Sequence, residues 1–269
     1  MLLPHSMMGF DFFLAGWAVA ALLMLIAWVV QWRTEDAGVV DFTWAAGLGV
    51  LALGYALLAD GDPLRRMLVA ALASGWSFRL AAHILVDRLF DKPEDGRYQR
   101  LRAHWRERTQ LKFFGFFQAQ ALLAAVFAIP FLVVALTPRQ PPLPALVAAL
   151  LIWLVAVGGE TLADRQLAAW RVDPANRGRT CRAGLWRYSR HPNYFCEWLH
   201  WWSYPLLAWG SPEWWLTLLG PALMLYTLLK VTGIPYTEQQ ALASRGDDYR
   251  AYQRTTSGFV PWFPKKEVS

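Results

Sequence analysis

Between Gly184 and Trp198 the chain reads GLWRYSRHPNYFCEW, which crowds Arg187, Arg190, His191, Asn193, Tyr194 and Glu197 around one proline. Pro192 suits the first position of a helix, where its missing N–H is no loss. Asn193 and Glu197 then lie four residues apart on one helical face, with Tyr194 in the first turn. Free backbone N–H groups at a helix start, flanked by guanidinium forks, attract phosphate. Glu197 at membrane depth demands a polar cavity, unless it snorkels or pairs as part of a plain basic flank. A second cluster holds Glu160, Asp164, Arg165 and Arg171. Glu160 and Asp164 are four apart, so two like charges share a face and call for a ligand hydroxyl, amide or cation between them. The alternative pairs Asp164 with neighbouring arginines.

In the amino-terminal half, Asp41, Arg79 and His83 combine an acid, a cation and a titratable imidazole, with the latter two on one face. Facing a common cavity, they could protonate or polarise a carbonyl; equally, they could form a buried ion network. Tyr98, Leu101 and Trp105 recur at helical spacing among arginines, which reads as an interfacial helix drawn to phospholipid. Five histidines form no HxxxH or HExxH pair and two cysteines form no CxxC, so no metal site is expected. GLGVLA, from Gly47 to Ala52, matches a dinucleotide fingerprint only in letters, because it lies in an apolar run; its small residues suit close helix contact.

The elements that must position these groups are membrane helices. Of 269 residues 56% are hydrophobic and 17% charged, too apolar for a soluble domain, and 16 Trp suit a chain with rings at the headgroup level. A crossing takes about 20 apolar residues for roughly 30 Å of hydrocarbon. Seven stretches qualify: Phe10–Gln31, Val39–Leu58, Leu64–Phe90, Phe113–Leu136, Leu143–Trp170, Tyr194–Trp209 and Trp214–Thr232, the sixth being the shortest. None alternates with period two, which excludes a barrel. The expected class is therefore all-α, a polytopic membrane protein of seven transmembrane helices. With those spans drawn, 22 of the 26 Lys and Arg fall in the loops or at the span ends of one side. By the positive-inside rule the N-terminus is outside and the C-terminus cytoplasmic. The net charge of +6 is thus topological, and no nucleic-acid partner is expected. Short outer loops leave any machinery facing the cytoplasm. The expected organisation is a single membrane domain, 1–269, with substrate-side helices and a basic loop in 1–110 and cofactor-binding helices in 111–269.

GLWRYSRHPNYFCEW, followed by KVTGIP from Lys230, DYRAY from Asp248 and GFVPW from Gly258, resembles the bacterial DUF1295 branch of the steroid 5-alpha-reductase superfamily. The resemblance implies a cavity for NADPH open to the cytoplasm of a bacterial inner membrane. It further implies hydride transfer to the beta carbon of an enone in a lipid-like substrate, with membrane lipids as surroundings. Residue by residue, it implies that Asn193 and Glu197 contact the nicotinamide part, and that Asp164 and Arg171 bind adenosine and phosphate parts. Glu160 stands where the family usually has Asn, and Cys196 where it has Gly. Arg179, Arg187 and Arg190 join the expected phosphate contacts, and His191, Tyr194 and Tyr249 complete the expected cofactor set. The family's Gln-Glu pair on the second helix is missing; Asp41 is the nearby acid, and His83 substitutes for a tyrosine of the third span. Arg190-His191-Pro192 with Tyr194 is equally at home in membrane methyltransferases that use S-adenosylmethionine, which also carry an acid after the final span, here Glu238. A lipid-binding or scaffolding protein without catalysis is the third reading.

Overall fold

The computed structural model describes residues 5–231 and 233–266, and these are helical, with no strand among them. Six helices are long and apolar enough to cross a membrane, within Gly9–Thr34, Val39–Leu58, Pro63–Leu89, Thr109–Leu136, Leu143–Val172 and Trp214–Thr255. The protein is accordingly a multi-pass integral membrane protein. Two compact units divide the chain: Met1–Pro142 with Leu207–Leu219, and Leu143–Leu206 with Gly220–Ser269.

In the first unit, α1 (His5–Thr34) packs on α2 (Val39–Leu58) and α5 (Thr109–Leu136), and α2 packs on α3 (Pro63–Leu89). The close α2–α3 approach depends on Gly49, where a Cβ would stand 2.9 Å from the Phe78 ring, and Ser74 Oγ donates to the Gly49 carbonyl at 3.2 Å. The small residues of GLGVLA therefore serve helix contact, as their setting suggests. Asp62 caps α3 by accepting from Arg65 N at 3.1 Å, ahead of Pro63 in the first turn. Buried Arg65 reaches the Trp209 carbonyl at 3.0 Å and the Arg139 carbonyl, tying three turns of this unit together. Asp95 caps the short α4 (Gly96–His104), accepting from Arg97 N at 2.9 Å. α5 is interrupted at Ala128, two residues before Pro130, whose ring removes one backbone donor.

The second unit is built on α6 (Leu143–Val172), one uninterrupted helix of 30 residues. Its Leu151, Leu154, Val155 and Leu162 are exposed, as a lipid-facing side would be. The expected span Tyr194–Trp209 is not one helix. It is split into α7 (Pro192–His200) and α8 (Ser203–Leu207), joined by a turn at Trp201 and Trp202, and neither piece alone is long enough to cross. Pro205 cannot donate to the Trp201 carbonyl, which accounts for the break there. After α9 (Leu219–Tyr226) and a π-helical turn at Thr227–Val231 comes α10 (Ile234–Thr255), whose carboxy-terminal half is strongly charged. α10 kinks at Gly246, where φ is 51° and ψ is −121°, a conformation that costs a side chain dearly.

Candidate functional site

In the first unit the polar centre is Asp41, in the first turn of α2. Tyr98 Oη donates to Asp41 Oδ1 at 2.7 Å, an Arg97 amine donates to Oδ2 at 2.7 Å, and Arg88 lies 3.8 Å away. Arg97 also forks onto Asp95, at 3.1 Å to each carboxylate oxygen. Burial works against the Arg97 charge, yet Asp41 beside it, then Tyr98 and Asp95, raise its pKa above the ordinary value. Burial, followed by the charge of Asp41, pushes the Tyr98 phenol well up. Asp95 is partly buried, which works against its charge, but its bonds to Arg97 bring its carboxyl below the usual range.

These contacts turn the aromatic side of α4 inward. Tyr98 is 4% exposed, and Trp105 packs edge-on against Phe113 at 5.1 Å. Arg102 binds Glu94 at 2.9 Å, Gln31 at 3.3 Å and the Glu35 carbonyl at 3.0 Å. The aromatic face is turned into the unit, with Arg97 paired to Asp41 and Arg102 to Glu94. Arg79 and His83 lie one turn apart on α3, both half-buried. Sequence reasoning missed Arg97 and Tyr98 as partners of Asp41. The available signal was an acid at a helix start with no neighbour of opposite charge, and an Arg-Tyr pair in the basic loop.

In the second unit two acids of α6 and the polar start of α7 come together. Asn193 Nδ2 donates to Asp164 Oδ1 at 3.1 Å, while Asn193 Oδ1 accepts from Tyr194 N at 3.0 Å. Glu160 and Glu197 are both buried, and Trp201 Nε1 reaches Glu197 Oε1 at 3.4 Å. The helices touch where Gly159 meets Cys196: a Cβ on Gly159 would stand 2.8 Å from the Cys196 sulfur. The loop before α7 is pinned by Trp186 Nε1 to the Ala163 carbonyl at 2.9 Å and by Leu185 N to Gln166 Oε1 at 2.9 Å. Gly184, with φ of 58°, makes the turn into it.

A second carboxylate centre follows on α10. Glu238 accepts from Arg190 Nε at 2.6 Å, Gln253 Nε2 at 2.9 Å, His191 Nε2 at 3.3 Å and Tyr249 Oη at 3.3 Å. Arg190 also donates to the Thr256 carbonyl at 2.6 Å and the Gln253 carbonyl at 3.2 Å. His191 stacks on Tyr194, with ring centres 5.4 Å apart and 7° between planes, and Tyr194 Oη meets Thr237 Oγ1 at 3.1 Å. Burial above all pushes the His191 pKa down, although Glu238 pulls the other way. The ring is therefore neutral near pH 7 and presents its Nε2–H to Glu238.

Of the expected phosphate contacts, Arg190 is thus bound to Glu238 and two carbonyls. Arg171, Arg179 and Arg187 are exposed at the end of α6 and in the loop leading to α7. Asp248 holds that loop by accepting from Thr180 N at 2.7 Å and Arg182 at 3.0 Å. The buried indole N–H of Trp170, next to Arg171, has no hydrogen-bond partner among the described residues. Sequence reasoning missed Gln253, Thr237 and Asp248 as fasteners. No group of three or more potential metal ligands occurs among the described residues.

A family model described as a protein of unknown function, DUF1295, matches residues 27–256. No curated protein matches the chain, and no solved structure does.

Proposed function

The chain belongs to the DUF1295 family, and on that premise we propose that it is an NADPH-dependent reductase of the steroid 5-alpha-reductase superfamily, acting on a carbon–carbon double bond conjugated to a carbonyl in a lipid-like substrate. The observation that carries the reading is the Asn193–Asp164 hydrogen bond, which joins an amide and an acid of two helices, with Arg171 exposed at the end of the first and Arg179 and Arg187 in the loop between them. The donor set fits a dinucleotide. Guanidinium forks suit phosphates, the unpartnered Trp170 N–H suits a further acceptor, and an amide beside a carboxylate suits a carboxamide or ribose hydroxyl. Bound NADPH would supply the hydride. In this reading Arg171, Arg179 and Arg187 hold phosphate, Asn193 with Asp164 orients the polar end, and Glu160 and Glu197 form its buried surroundings. Glu238 and Tyr249 act through Arg190 and His191, holding the loop that starts α7. Asp41, Arg79 and His83 are the first unit's groups proposed to handle the proton on the substrate oxygen, and Tyr98, already donating to Asp41, joins them.

The topology proposed with this function has seven crossings, the broken α7–α8 pair supplying one of them, because non-helical backbone is tolerated at membrane depth where protein covers it. The N-terminus is outside and the C-terminus cytoplasmic, in line with the charge asymmetry.

The test is which nucleotide the purified protein keeps. Mass spectrometry should find NADPH, and Asn193→Ala and Asp164→Ala should each lose it at unchanged folded yield; retention in both variants would overturn the placement. A rival reading, an S-adenosylmethionine-dependent methyltransferase, is favoured by the junction of Arg190-His191 with Glu238. Retained S-adenosylmethionine would establish it. A preparation that binds neither would leave a non-catalytic lipid-binding protein.

A further inference from the structure

The carboxy-terminal segment of the second unit, residues 257–266, is not a loose tail. Arg190 N donates to the Ser257 carbonyl at 2.8 Å, Ser189 Oγ to the Phe259 carbonyl at 2.8 Å, and Trp262 N to the Tyr188 carbonyl at 2.9 Å. Lys265 N turns back to the Thr255 carbonyl at 2.8 Å. Phe259 faces inward, its ring centre 5.7 Å from Phe195 and 5.8 Å from Trp198. The side chains that follow face outward: Val260 is 54%, Trp262 70% and Phe263 75% exposed. Phe263 leans edge-on against Tyr188 at 6.0 Å, and Lys265, Lys266 and Arg187 are exposed too.

A chain with nowhere to dock would gain little from fixing two large rings in the open, because rigidity only prevents them from hiding. Aromatic rings followed by lysines follow the order of a membrane–water interface, rings at the acyl boundary and ammonium groups at the phosphates. The charge is complementary to an anionic headgroup layer, which attracts each such cation. The strap is anchored to the loop immediately before α7 in a chain that crosses a bilayer, so the interface is at hand. We propose that residues 257–266 form a strap docked on the anionic phospholipid surface of the protein's own membrane. In it, Trp262 and Phe263 are seated at the headgroup–acyl boundary and Lys265 and Lys266 lie at the phosphates.

The test uses the full chain in nanodiscs, with Cys181 and Cys196 replaced by alanine. A nitroxide is attached after Trp262→Cys or, separately, Phe263→Cys, two positions so that loss of one variant leaves the other. Asp247→Cys, whose native side chain is 94% exposed, serves as the aqueous control. Power saturation compares accessibility to oxygen and to a water-soluble nickel chelate. Both strap labels should show a several-fold higher oxygen-to-nickel ratio than position 247. The ratio should rise further when phosphatidylglycerol replaces part of the phosphatidylcholine, and Lys265→Gln with Lys266→Gln should remove that rise. A strap label as nickel-accessible as position 247 in both lipids would overturn the proposal. So would a ratio indifferent to phosphatidylglycerol, or a label shielded from both reagents in detergent micelles, which would mean a protein partner instead. The readout is independent of nucleotide, so its failure leaves the reductase reading standing, and the converse holds.

Discussion

Replacing Glu238 by alanine removes one carboxylate from four donors at once. Arg190 is the partner that matters most: at 2.6 Å, with its side chain only 14% exposed, it would keep its charge and lose its counterion. Breaking a buried pair from one side costs about 3–5 kcal/mol. The Glu238 side chain is 17% exposed and Arg190 retains two carbonyl acceptors, so the lower end, about 3 kcal/mol, is expected. For a chain of this size that corresponds to a melting temperature lower by roughly 6–12 °C. Glu238→Gln keeps an acceptor and should lose about half as much. The decisive measurement is a cycle with Arg190→Met, read as thermal aggregation in mild detergent. The double variant should recover at least about 1 kcal/mol relative to the sum of the single changes, because the stranded charge is gone. Strict additivity, or a Glu238→Ala protein melting within about 2 °C of the parent, would refute the hub as the fastener of the α7 entrance.

Other outcomes follow from the same contacts. His191 is held neutral, so its pKa in the folded chain lies below the ordinary 6.5; the unfolded chain then binds the extra proton first, and stability falls as pH drops below about 6.5. Melting temperatures between pH 7.5 and 5.5 should show this decline, and His191→Gln should flatten it. Tyr98→Phe removes one donor from Asp41 while Arg97 remains, costing about 1 kcal/mol in stability; under the reductase reading, turnover should drop roughly 10²–10⁴-fold with NADPH affinity unchanged. Wild-type turnover in that variant would remove Tyr98 from the proton path. Gly159→Ala should destabilise by about 1–3 kcal/mol through its clash with the Cys196 sulfur. Cys196→Ala in the same chain should relieve it, and failure to do so would show that the crowding lies elsewhere.

How much of this was legible beforehand differs by element. Gly49 and its neighbours stood in an apolar run, and only helix packing could use them there; the contact with Phe78 is that use. Pro192 announced the start of α7, and the four-residue spacing of Asn193 and Glu197 placed them correctly on it. Pro205 was equally visible, yet an apolar average over Tyr194–Trp209 concealed that one missing donor would divide the stretch. On α4 the amphipathic pattern was real, but a pattern names a buried face without saying whether lipid or protein buries it. Tyr98 buried against Asp41, not headgroups, is a fact of tertiary structure.

What the sequence determined by itself was the class: runs of about 20 apolar residues must satisfy their own backbone in hydrocarbon, and only helices do so within one segment. Only the tertiary structure decided which charges are spent on one another. Asp41 meets Tyr98 across 57 positions and Glu238 meets Arg190 across 48, separations over which no local periodicity carries information. The same folding left Arg179 and Arg187 at the surface and tied Arg190 down. Desolvation drives that sorting, since a guanidinium drawn inward must find an acceptor wherever in the chain it lies, whereas one at the rim can remain with water.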